Sequence, residues 1–478
     1  FCYAMAASIL VLSLLLCFAS LSSADTPANC THDDLVGTWK FHMSEDGHDR
    51  TLDCSNPGTV VHVITFTLSG HNHAVLQAGN QVGKFNLVYN QGFEVEVGHH
   101  TLFAFFAWEQ VNDTHSEYWC NKTMYGWAHD NLGNNWACFI AIKQPDQLKS
   151  NSDSLTNYNG VVNYNKVLQT TYTNDDHFIA ELNKQQDSWL AGSYPELESM
   201  TYEQVLRRSG YGNGPITNFA PTRSKQPRKL RFTPGNNLPE SFDWRNVNGQ
   251  NFVSPIRNQQ SCGSCYAFAS MAMLEARVRI ATNNTQTPVF SPQEVVSCSQ
   301  YAQGCEGGFP FLIAGKYAHD FGVVEEHCYP YLGKDTDKCS PMVSNCRRHY
   351  VAKYEYVGGY YGGCTPEKMM EDLVAFGPIA VGIEVYPDFQ QYKSGIYHHV
   401  TSVERKLPVT GYNPFELTNH AVLVVGYGAD ERTGEKYWIV KNSWGESWGE
   451  KGFVRIKRGV DEIAISSLAQ QSFPIPEL

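Results

Sequence analysis

The apolar and polar positions of this chain change period along its length. Between residues 60 and 108 they alternate: Val61, Val63, Thr65 and Thr67 share one side of an extended segment, and β-forming runs follow at 85–89, 93–97 and 101–108. Gly, Asn and His clusters separate these runs, which predicts an antiparallel sheet or small barrel. Over 176–190 and 202–208 the pattern becomes helical. Beyond 238 an apolar helix is predicted at 265–280, with strands at 379–385, 421–425 and 437–440. Helices and strands without strict βαβ alternation place this last part in the α+β class.

One apolar run precedes all of these, from Ile9 to Leu21, ending in Ser22-Ser23-Ala24. It is too short to span a bilayer and ends in small residues, as a secretory signal does. Residues 1–24 are therefore read as a signal peptide, with Met5 the expected initiator and Asp25 the mature N-terminus. No run approaches the twenty apolar residues of a transmembrane helix, so no membrane partner is expected.

Composition narrows the picture further. The 478 residues are too many for one domain, and 42% hydrophobic with 18% charged residues is the mixture of a chain with sizeable cores. A formal net charge of −12 argues against nucleic acid as a partner. Of the fourteen Cys, Cys2 and Cys17 leave with the signal segment, and secretory entry makes the remaining Cys candidates for disulfides. Cys30, Cys54, Cys120 and Cys138 lie in the N-terminal third, and Cys30–Cys120 with Cys54–Cys138 is the pairing adopted, although four Cys allow three connectivities. Sequons at Asn29, Asn112, Asn121 and Asn283 are candidate glycosylation sites. The chain divides into 25–138, a β unit; 139–237, a Cys-free segment with a basic end at Arg223, Lys225, Arg228, Lys229 and Arg231; and 238–478. That basic end reads equally as a solvated linker or a protease-sensitive connector.

The candidate chemistry starts at Cys262-Gly-Ser-Cys265. A zinc site would need a second Cys or His pair at ligand spacing, and a thioredoxin-type pair a following βαβ unit; neither is present. A nucleophilic Cys265 at the start of the predicted helix remains, where unpaired N–H groups favour a thiolate. Such a nucleophile needs a base and a group to orient it. His420, at the entry of an apolar strand, would usually be an ordinary core histidine; Asn442, in Lys-Asn-Ser-Trp-Gly, lies further on.

Together, Asn258-Gln-Gln-Ser-Cys-Gly-Ser-Cys-Tyr266 and the His420 and Asn442 segments resemble the papain family of cysteine peptidases. The spacings exceed the ~130–150 residues of the family pattern, which implies insertions near 393–408 and 429–436. The resemblance implies a two-lobed catalytic domain, helical lobe plus β-barrel lobe. It makes Cys265 the nucleophile, His420 its base, Asn442 the residue orienting the imidazole, Trp444 the shield of that hydrogen bond, and Gln259 an oxyanion-hole donor. It pairs Cys262–Cys305, Cys298–Cys339 and Cys328–Cys346, leaving Cys364 a structural thiol. The whole chain is similar to a dipeptidyl-peptidase branch of the family. There an exclusion barrel, here 25–138, blocks the cleft, and the N-terminal Asp, here Asp25, holds the substrate's α-ammonium group. The same resemblance implies chloride at the backbone of Phe309 and at Phe311 and Tyr354, with Phe311 lacking the hydroxyl of the family's tyrosine. No metal is implied. It makes 139–237 an activation propeptide cut out by an activating protease, 238–409 a heavy chain and 410–478 a light chain, with cuts near Leu238 and Thr410. It further implies a tetramer of three-chain protomers, peptide and protein N-termini as substrates, and a lysosomal or secreted enzyme. The competing readings are an endopeptidase with a tethered barrel and a non-enzymatic binding protein.

Overall fold

A computed structural model describes residues 26–70, 72–112, 115–144, 151–154, 168–210, 238–336, 338–403 and 418–477. Residues 1–25, the cut expected near Thr410 and the basic run from Arg223 to Arg231 lie outside them. Among the described residues eight antiparallel strands close a barrel, in the order Gly37–Ser44, Val60–Ser69, His73–Leu76, Gln81–Val88, Gly92–Val97, His100–Asn112, Gly126–Asp130 and Trp136–Gln144. The last pairs with the first, for example Phe41 with Ala141. Trp39, Phe41, Phe66, Phe93, Phe106 and Phe139 fill the interior. Alternation in Val60–Ser69 is as the sequence predicts, but Val61 and Val63 face solvent and Phe66 and Leu68 face the core. β-branched residues mark a strand without telling which face is buried. Cys30–Cys120 and Cys54–Cys138 bridge the unit. Its final strand runs to Gln144, past the boundary drawn at 138, because Phe139 and Ala141 belong to the barrel core.

The catalytic part is built on the helix Cys265–Ala281, buried on every side through most of its length. That is why its sequence is apolar all round and not amphipathic. A largely antiparallel sheet packs against it, in the order Trp189–Ala191, Tyr392–Tyr397, Phe453–Lys457, Lys436–Lys441, Thr418–Ala429, Ile379–Val385, Ala469–Pro474 and Val351–Tyr356. The first of these strands comes from the segment between the two units, so that segment adds itself to the edge of the catalytic sheet. The predicted helix at 176–190 is thus shorter, Asp176–Gln185, and its end is this strand. Trp189 explains the change: its ring is buried against Tyr397 and its Nε1 donates to the His398 carbonyl at 3.1 Å, so tertiary contact overrides helix propensity.

The barrel meets the catalytic unit through stacked rings and a buried charge cluster. Tyr89 stacks on Phe309 with centroids 4.1 Å apart, and Trp136 packs on Phe321 at 5.3 Å. Between them Glu94 and His129 of the barrel enclose Lys316 and Asp320: Lys316 Nζ lies 3.6 Å from Glu94, 3.0 Å from Asp320 and 3.2 Å from His129 Nε2. Tyr301 donates to Asp320 at 3.0 Å.

Candidate active site

Cys265 is the first residue of its helix, beside Ser264, whose side chain caps nothing and instead meets the Tyr331 hydroxyl at 2.6 Å. The disulfide Cys262–Cys305 pins the turn before it to the 304–309 loop, and Gly263 N–H donates to the Cys305 carbonyl at 2.9 Å. Cys265 itself is in no disulfide. His420 lies on the strand Thr418–Ala429, paired in register with Ile383. The next strand ends at Lys441, and Asn442 follows with its N–H on the Gly452 carbonyl at 3.0 Å. Its Oδ1 is 2.7 Å from His420 Nε2. An amide oxygen only accepts, so Nε2 carries the proton and Nδ1 is left as the basic nitrogen. Nδ1 is buried and has no hydrogen-bond partner among the described residues. The Trp444 ring packs over the imidazole at 4.9 Å and keeps water from the His420–Asn442 bond.

Burial above all lowers the His420 pKa, the Asn442 bond opposes it and the Arg208 charge adds to it, and the net value is about 4. Arg208 is the residue sequence reasoning missed. The helix Tyr202–Arg208, opened by a capping box between Thr201 and Gln204, delivers its last residue onto the site. The Arg208 carbonyl accepts from Gln259 Nε2 at 3.1 Å and from Trp444 Nε1 at 3.1 Å, while its guanidinium lies 4.4 Å over the Trp444 ring. Ser209 is fixed alongside by the Gln390 side chain. Gln259 is oriented in turn: Ser443 Oγ donates to its Oε1 at 2.6 Å. The only sign of this in the sequence was a short helical pattern with a Thr-x-x-Gln cap, which carries no mark of where the helix docks.

The structure therefore brings Cys265, Gln259, His420, Asn442 and Trp444 into one region, with the Arg208 carbonyl held by the Gln259 amide and the Trp444 indole N–H. A thiol at a helix start, an imidazole oriented by an amide, and donors around a carbonyl oxygen suit covalent acyl transfer. The remaining disulfides are Cys298–Cys339 and Cys328–Cys346, and burial pushes the Cys364 thiol well up, which suits an inert residue. Asn283 is exposed, Asn29 and Asn121 are half-buried, and the side chain of Asn112 lies outside the described residues, as does Asp25.

Phe309, Phe311 and Tyr354 do come together, but as arranged they do not fit an anion. Phe311 stacks on Tyr356 at 4.2 Å and offers no donor. The Tyr354 hydroxyl donates to Glu94 Oε1 at 2.5 Å, so its one proton is committed to a buried carboxylate. Burial raises the Glu94 pKa, against the pull of Lys316.

Comparison with known proteins agrees with this arrangement. A model of the papain family cysteine protease domain matches residues 238–473, and one of the cathepsin C exclusion domain matches residues 25–143. The chain is 41% identical over 468 residues to a Schistosoma mansoni protein named Cathepsin C, covering 97% of this chain and 98% of that one. It is 36% identical over 244 residues to mouse (Mus musculus) Pro-cathepsin H, covering 50% of this chain and 66% of that one. A solved structure of digestive procathepsin L 3 from the Tenebrio molitor larval midgut shares 27% identity over 65% of this chain and 88% of that chain, with a TM-score of 0.47.

Proposed function

The chain belongs to the cathepsin C family of papain-type cysteine peptidases, and from that premise we propose that it removes dipeptides from free N-termini. The observation that carries this reading is the seat of the barrel. The 304–309 loop is tied by Cys262–Cys305 to the turn before the nucleophile, and Phe309 at its end is stacked under Tyr89 of the barrel. A wall thus stands a few residues from Cys265. Thr26, next to the proposed ammonium-binding Asp25, is anchored on that wall by its N–H to Gln91 Oε1 at 2.9 Å. A carboxylate there selects a terminal positive charge.

In the reaction Cys265 sulfur attacks the scissile carbonyl carbon while His420 Nδ1 holds the thiol proton. Gln259 Nε2 and the Cys265 N–H receive the developing oxyanion, and the proton passes to the leaving amine as the C–N bond breaks. Water, deprotonated by His420, then attacks the thioester carbonyl, and the dipeptide leaves with its new carboxyl group as the thiol is restored. Asn442 keeps the imidazole in this tautomer throughout.

The Arg208 segment makes the full chain a zymogen in this reading. The Arg208 carbonyl occupies the Gln259 Nε2 donor that an oxyanion needs, so an activating protease must remove the segment. Two features support passage through an oxidising, secretory compartment: five disulfides and an exposed Asn283 sequon. A lysosomal destination and a tetramer of processed protomers belong to the same proposal.

The test compares a free dipeptidyl-coumarin with its N-acetylated form on the processed enzyme. Cleavage of the free form alone is expected. Equal cleavage of both would leave an endopeptidase with a tethered barrel.

A further inference from the structure

Away from the cleft, three acid or imidazole side chains from separate parts of the chain converge: Glu325, His349 and Glu477, their candidate ligand atoms all within 4.8 Å of one another. The His349 side chain is only 10% exposed, and its Nε2 is buried with no hydrogen-bond partner among the described residues. That atom points between two carboxylates, 3.4 Å from Glu325 Oε1 and 3.7 Å from Glu477 Oε1. These separations are long for a charge-assisted hydrogen bond. They are close to the spacing of two ligands on one tetrahedral ion, about 3.3–3.5 Å for bonds of ~2.0–2.2 Å.

The backbone holds all three in place. His349 and Val323 exchange both main-chain hydrogen bonds, at 2.8 and 2.9 Å. The Cys328–Cys346 disulfide ties the Glu325 segment to the His349 segment. Glu477 is pinned from both sides by one side chain: its N–H donates to Gln286 Oε1 at 3.0 Å and its carbonyl accepts from Gln286 Nε2 at 2.7 Å. His327 stands at the rim, exposed, with Nδ1 3.5 Å from the other Glu325 oxygen.

We propose that Glu325, His349 and Glu477 form a binding site for a divalent transition-metal ion, zinc by ligand type, with His327 able to close as a fourth ligand. Mixed imidazole and carboxylate donors suit zinc, while calcium and magnesium take oxygen alone. Two carboxylates balance the ion's charge, and a neutral imidazole supplies its lone pair. Arg347, whose Nε lies 3.0 Å from Glu477 Oε1, fills the opposing role when no ion is bound and must yield that oxygen. The ion would join the C-terminal tail to the disulfide-bridged loop, which makes the site structural. No sequence motif announces it, because the three ligands are far apart in the chain and meet only through the fold.

A catalytic thiolate also binds zinc, so the test uses the full chain with Cys265→Ser, stripped of metal by a chelator and titrated with zinc chloride in a calorimeter. One equivalent of zinc should bind, with a rise in the thermal midpoint. His349→Ala and Glu477→Gln should each weaken binding by about tenfold or more, and His327→Ala by less. Glu477→Gln removes a ligand while leaving both backbone bonds to Gln286, so it reports on binding even if His349→Ala folds poorly. Absence of a stoichiometric heat, or binding unchanged in Glu477→Gln, would overturn the proposal. Neither result bears on peptide cleavage, which the Cys265→Ser variant cannot perform.

Discussion

In the full chain burial, helped by the Arg208 charge, lowers the His420 pKa to about 4, so covering of the imidazole by the Arg208 segment carries a pH dependence whose sign can be worked out. An uncovered imidazole titrates near 6.5. Between those values the uncovered state binds more protons, so the free energy that holds the segment in place is complete above 6.5, declines as pH falls, and has lost its whole contribution near 4. A difference of that size is worth up to about 3 kcal/mol. Acidification should therefore loosen the segment. In Cys265→Ser protein, nicking near residue 208 by an added protease should accelerate between pH 6.5 and 4. The acceleration should be much smaller in His420→Gln. The residues that carry this chemistry were largely legible in the sequence, since Cys265, His420 and Asn442 lie in short motifs whose composition is distinctive even though the spacing between them is longer than usual. Arg208 was not, because its part is played by a main-chain carbonyl, and a carbonyl has no sequence signature.

At the scale of elements, the segment before the catalytic unit holds on at two points. The strand Trp189–Ala191 extends the sheet edge at Tyr392–Tyr397, and the helix Tyr202–Arg208 plugs the site. Gly395 makes the close approach possible: its φ is +103°, and a Cβ there would lie 2.4 Å from the Ser188 carbonyl oxygen. Trp189 supplies much of the grip, buried and hydrogen-bonded to His398. Truncating a buried Trp costs ~3–5 kcal/mol. A peptide of residues 168–210 should inhibit the processed enzyme in trans, and Trp189→Ala in that peptide should raise its inhibition constant by at least about a hundredfold. The prediction of a helix through residue 190 shows where local pattern stops being informative. A strand added to a distant edge depends on Tyr392 and Gly395, two hundred positions away in the chain. The apolar helix at 265–281 was legible for the opposite reason, since burial on every side through most of its length leaves a mark in nearly every residue.

For the whole molecule, the question is what fixes the barrel on the catalytic unit, because the proposed choice between exopeptidase and endopeptidase depends on it. Rings provide area, but the buried cluster provides position. Burial works against charge on Lys316, yet Asp320 and Glu94 beside it raise its pKa, so it remains a cation. Burial likewise opposes charge on Asp320, but Lys316 and His129 hold its carboxyl well below the usual carboxylate range. Ionisable groups from both units thus meet around Lys316 in a space closed to water, where a shifted docking would strand one of them. Such pairs add little net stability but make wrong arrangements costly. The sequence shows each of these residues only as an ordinary polar position in an apolar stretch. Lys316→Met keeps the side-chain volume and leaves Glu94 and Asp320 without their shared cation, at a cost of about 3–5 kcal/mol. If the barrel is what closes the cleft, the processed variant should lose kcat/KM on free dipeptidyl substrates and gain cleavage of N-acetylated ones. Restoring the charge with Lys316→Arg should recover only part of the original preference, since the bulkier fork cannot reach Glu94, Asp320 and His129 in the geometry that one ammonium group reaches.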